Sequence, residues 1–253
     1  MTAPTVSVPL PRAEAANEPV RLGLVALSTD MTLEHDLAGF LSEDLRLHVS
    51  RLAFANPTTP ENLRAMAPGI TAAADLLVPG VDLAAVGFGC TSGAIINGDG
   101  AVAAAIGAVR PGVPVCTPSD SAVRGFRDLG VRRIALLTPY VEPTARPVAD
   151  YFETAGIEVV QLTSLDMEDD RDIARLSPAV IRAAVLRADH AGAEAVFISC
   201  TSTPVMPLIP ALEAELGKPV VSSNQALAWA MLAVAGLSVP GPGALFAPTA
   251  DAA

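Results

Sequence analysis

Two short apolar runs end in the same tripeptide: Val86-Gly87-Phe88-Gly89 leads into Cys90-Thr91-Ser92, and Val196-Phe197-Ile198-Ser199 into Cys200-Thr201-Ser202. The second lies 110 residues after the first, and the apolar run opening at Arg133 trails the one opening at Arg21 by 112. Each Cys-Thr-Ser is followed by a Pro-Val run (Pro114-Val115, Pro219-Val220) and a Ser-containing turn (Ser119-Asp120-Ser121, Ser222-Ser223-Asn224). A repeat of this length describes a unit of several strands and helices used twice.

Short β-branched apolar runs alternate with longer helical patterns, the mark of βαβ units and parallel sheets buried on both faces. Strands are expected at 21–27, 47–52, 83–87, 113–116, 133–137, 158–162, 195–199 and 219–222. Helices are expected near 33–41, 60–77, 98–108, 120–129, 142–155, 178–188, 205–216 and 224–235. The fold class that follows is α/β: two pseudo-symmetric Rossmann-like lobes, each a four-stranded parallel sheet flanked by helices, with a cleft between them. Crossovers after Cys116 and near Ser222 assign 20–116 plus 223–246 to lobe 1 and 117–222 to lobe 2. Residues 1–19, with four prolines and little periodicity, are expected to be a loose tail. Residues 244–253 are expected to add little to the fold.

With 253 residues, 51% of them hydrophobic, the chain has enough apolar surface for a large core. A formal charge of −11 argues against nucleic acid and anionic membranes as partners. The start of the chain resembles no signal peptide. The apolar run 229–237 falls short of the roughly 20 residues a membrane span needs and is expected to be a buried helix. Three widely spaced cysteines in apolar settings do not form a disulfide framework, which points to a reducing, cytoplasmic setting.

A parallel strand delivers its ligand-binding residues at its carboxyl end. Two thiols so delivered from matching lobes would face each other and could move protons to and from opposite faces of a carbon beside a carboxylate. A helix start just after each cysteine would lower the thiol pKa and offer N–H groups to an oxyanion. Thr91, Ser92, Thr201 and Ser202 suit two roles there, helix capping or substrate contact. Free cysteine is otherwise a common packing residue, and Cys116, without the Thr-Ser that follows the other two, is expected to be core. His35, His48 and His190 lack metal-ligand spacing, and Gly87-Phe88-Gly89 stops short of a dinucleotide fingerprint, so neither metal nor organic cofactor is expected.

The residues resemble the aspartate/glutamate racemase superfamily, and within it the branch of maleate cis-trans isomerases, arylmalonate decarboxylases and ectoine-utilisation protein A. The resemblance runs from about Leu22 to Leu237. It rests on both Cys-Thr-Ser sites, Thr138-Pro139-Tyr140, Pro118-Ser119 and the stretch Asp170-Arg171-Asp172-Ile173-Ala174-Arg175-Leu176. It implies a cofactor-independent isomerase or racemase acting on a small carboxylate, and a homo-oligomer. It also implies that Cys90 adds to a double bond while Cys200 handles the proton, and that Tyr140 hydrogen-bonds the substrate. Arylmalonate decarboxylases match at only the second cysteine.

The isomerases carry asparagines where this chain has Asp30 and Asp170. Two carboxylates would repel a dianion such as maleate and would instead pair with a ligand that carries a cationic group beside its carboxylate, as a zwitterionic ectoine derivative does. On the other reading Asp30 caps the helix after it and Asp170 belongs to the solvated acidic run 166–172. A decarboxylase and a catalytically silent small-molecule binder are the rival functions.

Overall fold

The computed structural model describes residues 18–247. The expected tail over residues 1–19 lies outside them apart from Glu18 and Pro19.

The first lobe carries β1 (Val20–Leu27), α1 (Leu33–Ala38), β2 (Leu45–Leu52), α2 (Pro60–Ala65), α3 (Ile70–Asp75), β3 (Ala85–Gly89), α4 (Thr91–Asn97), α5 (Asp99–Gly107) and β4 (Val115–Cys116). After the crossing helix α6 (Pro118–Asp128) come β5 (Arg133–Tyr140), α7 (Glu142–Thr154), β6 (Glu158–Met167), α8 (Asp170–Ile173), α9 (Pro178–Ala188), β7 (Ala195–Ile198), α10 (Ile209–Leu216) and β8 (Val220–Ser222). A last long helix, α11 (Ser223–Val234), returns to the first sheet.

Both sheets are parallel throughout and share one strand order, β2-β1-β3-β4 and β6-β5-β7-β8. β3 and β7 therefore hold equivalent third positions, and each is directly followed by its cysteine region. Both strands are fully buried, as strands covered by helices on two faces must be. The eight expected strands are all present; β5 and β6 run further than the apolar pattern marks, to Tyr140 and Met167.

Helix boundaries depart more. The single helix expected over 60–77 is broken by a 3₁₀ turn at Ala67–Gly69, where Pro68 and Gly69 interrupt it. A separate helix, α4, starts at Thr91, ahead of the one expected from 98.

The two crossing helices meet each other, with Arg124 of α6 over the Trp229 ring of α11 at 5.8 Å, and each covers one sheet. Phe126 of α6 is fully buried and packs edge-on against Phe152 and Phe197 of the second lobe, with centroids 6.1 and 5.8 Å away. Met231 of α11 lies so close to β3 that a Cβ on Gly87 would come within 2.5 Å of its sulfur. Glycine at 87 is what allows that approach. Contrary to expectation, residues 244–247 contribute to the core: Leu245 is buried against Gly125, and Phe246 stacks on Phe40 at 5.2 Å; the rest of the segment expected to add little lies outside the described residues. An apolar pair this close contributes regardless of its distance from the repeat.

No helix among the described residues is long and apolar enough to cross a membrane.

Truncating Phe126 to alanine should destabilise the chain by about 3–5 kcal/mol, the cost of a void among aromatic rings, in a urea titration followed by circular dichroism. A loss below about 1 kcal/mol would contradict the packing described.

Candidate active site

Cys90 is the N-cap of α4, with extended backbone, and its sulfur accepts the Gly93 N–H at 3.2 Å. A Cβ at position 93 would lie 2.1 Å from Met66 and 2.9 Å from that sulfur, so only glycine lets the amide reach it. Ser92 Oγ stands 3.8 Å from the same sulfur. The N–H groups of Thr91 and Ser92, first in their helix, make no hydrogen bond among the described residues.

Cys200 is held differently. No helix starts after it: a turn leads through 201–205 to a 3₁₀ turn at Met206–Leu208 and then α10. The expectation of matching helix starts holds only for Cys90. Pro204 and Pro207 fall where a helix would need backbone donors. Instead, Cys200 takes a left-handed conformation, φ 89°, which costs a non-glycine residue about 1–3 kcal/mol and is characteristic of functional sites. Ser202 N–H donates to its sulfur at 3.4 Å.

The two thiol-bearing ends touch. Thr201 Oγ1, one residue after Cys200, donates to the carbonyl of Gly89, one residue before Cys90, at 3.3 Å. Thr91 Oγ1 donates to Ser223 Oγ at 2.7 Å. Both threonine hydroxyls thus brace the junction. Tyr140 is buried, and its hydroxyl lies beside the Cys200 thiol and Ser92.

Burial dominates the electrostatics. Cys90 and Cys200 are only 4% and 6% exposed, and desolvation pushes their thiols up to about 12 and about 11. Their N–H donors and the Tyr140 hydroxyl pull the other way without prevailing. This overturns the expected lowering by helix starts: partial charges from one short helix end are worth less than the hydration a buried thiolate forgoes. Tyr140 is raised for the same reason. Both thiols rest neutral.

Three carboxylates approach this centre. Asp30 Oδ1 accepts from the amides of Thr32 (2.9 Å) and Leu33 (2.8 Å), so it does cap α1. Its Oδ2 is buried with no hydrogen-bond partner among the described residues; the Thr201 hydroxyl, which donates to the Gly89 carbonyl, lies near this carboxylate as well. Burial raises the Asp30 pKa despite the amides, the Thr201 hydroxyl and Arg51.

Asp170, 3% exposed, is not part of a solvated acidic run. Thr29 Oγ1 and Asn56 Nδ2 donate to it, the latter at 2.6 Å, while its own N–H donates to Asn56 Oδ1 at 3.2 Å. It starts α8, which carries it inward away from its acidic neighbours. Asp36 is pushed up to about 6 by burial and by Asp30, against the Asn224 amide and His35.

Asn56 and Asp36 belong to no motif that the sequence pattern singles out, and Asn224 enters it only as the end of a repeated turn, with no role assigned. Asn56 follows the edge strand β2, at the carboxyl edge of the sheet where ligand-binding loops gather, and that placement is the signal that could have found it. Asn224 sits in the Ser-Ser-Asn turn that opens α11. Cys116 is buried core, 3% exposed. Among the described residues no group of three or more His, Cys, Asp or Glu is arranged to hold a metal ion. The cavity of about 490 Å³ beside Trp229, Leu232 and Phe246 contains none of these residues. The thiol site is closed.

The Amdase family model, described as arylmalonate decarboxylase, matches residues 70–246. The chain belongs to this family. A maleate isomerase of Alcaligenes faecalis is 28% identical over 240 residues, 88% of this chain and 94% of that enzyme. The structure of the maleate isomerase Iso from Pseudomonas putida S16 superposes with a TM-score of 0.82 at 26% identity, covering 90% of this chain and 98% of that one. A mutant of the Nocardia farcinica maleate cis-trans isomerase, with a covalently bound succinylcysteine intermediate, matches at a TM-score of 0.79 and 26% identity over 90% and 98% of the two chains. With the shared two-sheet architecture, these matches place the protein among the Asp/Glu racemase-like enzymes.

Because both thiols rest neutral, alkylation of Cys90 and Cys200 by iodoacetamide should rise about tenfold per pH unit from about pH 7 to about pH 10 without levelling. A plateau below about pH 9, read by peptide mass spectrometry, would mean that the thiols ionise far more easily than their burial allows.

Proposed function

We propose that this protein is a cofactor-independent isomerase in which Cys90 and Cys200 act as a pair on a small carboxylate, assisted by Tyr140. The observation that carries this reading is the Thr201–Gly89 hydrogen bond, which ties the two thiol-bearing strand ends at one closed site.

N–H groups with no partner among the described residues follow each cysteine, at Thr91, Ser92 and Thr201. They suit the substrate carboxylate and the enediolate that forms when a neighbouring C–H loses its proton. In proton transfer, one thiolate takes the proton from carbon and becomes a thiol. The second thiol returns a proton to the opposite face and becomes the thiolate. In the alkene version the Cys90 thiolate forms a C–S bond, the π electrons move into the carboxylate as an enediolate, and Cys200 protonates the carbon. Rotation about the resulting single bond and reversal of both steps release the other isomer. The succinylcysteine of the Nocardia enzyme supports this version by analogy. The Tyr140 hydroxyl beside Cys200 favours the Cys200 thiolate, and Ser92 lies on the other side of the phenol.

The substrate best suited to the site carries a hydrogen-bond donor beside its carboxylate, as a zwitterionic ectoine or hydroxyectoine derivative does; ectoine-utilisation protein A is the corresponding relative. Asp30 Oδ2 supports this reading as a buried acceptor with no hydrogen-bond partner among the described residues, and among those residues no lysine or arginine side chain bonds into the site to receive a second carboxylate. Arg51 points at the backbone of Leu27 and Asp30 from behind. A maleate-like diacid is the second reading, favoured by the names of the relatives. Asp170, satisfied by Thr29 and Asn56, belongs to the wall of the site and contacts the ligand only through them. Ser202 lines the Cys200 side.

Solvent deuterium incorporation, followed by NMR across ectoine derivatives, maleate, aspartate and arylmalonates, tests the reading. Exchange is expected with a zwitterion and should fall by about 10²–10⁴ in both Cys90→Ala and Cys200→Ala. Brisk maleate isomerisation would overturn the zwitterion assignment and leave the thiol pair. Malonate decarboxylation that survives Cys90→Ala would overturn the pair itself.

A further inference from the structure

The turn after Cys200 is strained and receives little support from its own backbone. Next to Cys200 its internal bonds are Thr203 N–H to the Cys200 carbonyl and Thr203 Oγ1 to the Ser199 carbonyl, both at 3.3 Å; a 2.8 Å bond from Val205 N–H to the Thr203 carbonyl closes its far end. The two carbonyls at the middle of the turn are held from outside. Thr201 O accepts from Asn224 Nδ2 at 2.9 Å, and Ser202 O accepts from Thr32 Oγ1 at 2.9 Å.

The orientation of Asn224 is chemically determined. Its Nδ2 also donates to Asp36 Oδ2 at 2.7 Å, so both partners are acceptors, and a flipped amide would set its carbonyl against a carboxylate. The buried Oδ1 has no donor among the described residues, an arrangement retained because the N–H₂ group must face Asp36 and Thr201. Asn224 is 1% exposed, at the second position of a helix whose start is set by a capping box between Ser222 and Gln225.

We propose that Asn224, oriented by Asp36, is a positioning residue that clamps the turn following Cys200 and so keeps the Cys200 sulfur under the Ser202 N–H and the Tyr140 hydroxyl. The proposal rests on the reading of Cys200 as a reacting group, but its test does not require turnover. When the clamp is lost, Cys200 leaves its left-handed conformation and its sulfur moves off both donors. With fewer donors the thiolate is less favoured, so Cys200 reacts more slowly while Cys90, held by Gly93, does not change.

The probe is iodoacetate at about pH 9, where Asp36 is charged, with labelling at each cysteine read in the same molecule by peptide mass spectrometry. The ratio of Cys200 to Cys90 labelling cancels any difference in how often the closed site opens. Asn224→Leu and Asp36→Leu should each lower that ratio about tenfold, and Asp36→Asn, whose carbonyl still accepts from Asn224, should keep it within about threefold. Thr32→Val, which removes the second bond to the turn, should lower it by about threefold and serves where Asn224→Leu does not fold. An unchanged or increased ratio, or a parallel fall at both cysteines, overturns the proposal. Absence of isomerase turnover with a lowered ratio would instead count against the proposed reaction alone.

Discussion

Exclusion of water from the junction of two parallel sheets governs the chemistry this protein can perform. The same closure that brings Cys90 and Cys200 together removes the hydration that a thiolate or carboxylate would otherwise keep, which is why both thiols and Asp30 and Asp36 are all raised. At neutral pH a thiol raised to about 11 is ionised in about one molecule in 10⁴. Such a group is a poor nucleophile at rest, but in the proposed reaction it is a well-matched partner for an enediolate whose charge the N–H dipoles after each cysteine would hold in the same dry space. Stabilisation of that kind is realised when charge develops, not beforehand. The low resting reactivity also spares two thiols reached only by opening of the site from oxidation and stray alkylation.

The two halves share strand order and the placement of their cysteines, yet they hold the sulfurs by different means. Cys90 is fixed by regular structure: a strand, a cap and a helix start, with Gly93 close enough for its amide to reach the sulfur. Cys200 is fixed by a strained turn and by side chains from elsewhere. A pseudo-two-fold axis would otherwise make the thiols interchangeable. The asymmetry gives each its own surroundings, with Asp30 and Tyr140 beside Cys200 and Ser92 beside Cys90, as two different roles on one substrate require.

Much of this is legible in the chain. Strands buried on both faces read as unbroken apolar runs, so β3 and β7 declare themselves, and the repeated Cys-Thr-Ser marks where they end. Less legible is anything set by long-range polar contacts. Nothing local distinguishes Asp170 from its solvated neighbours until α8 turns it toward Asn56, more than a hundred residues earlier. The absence of a helix directly after Cys200 is concealed by the matching tripeptide, although Pro204 and Pro207 oppose a helix there. The sign of the thiol shifts is hidden because burial depends on both lobes at once, whereas a helix start can be seen in one.

The carboxylates carry the final step of synthesis. Asp30 and Asp36 repel one another, and Asp30 and Asp170 oppose a thiolate at Cys200. A site evolved only to bind a dianion gains nothing from three such groups, since each like charge in a desolvated space opposes the next. Their positions make sense if each has its own role. Asp170 joins the loops after β2 and β6, Asp36 orients Asn224, and Asp30 caps α1 while one oxygen stays without a donor. Two of the three charges are thereby consumed within the protein. Only the third has an oxygen with no partner among the described residues, and under the proposed reading a donor on the ligand would both satisfy that oxygen and relieve the repulsion on the thiolate beside it.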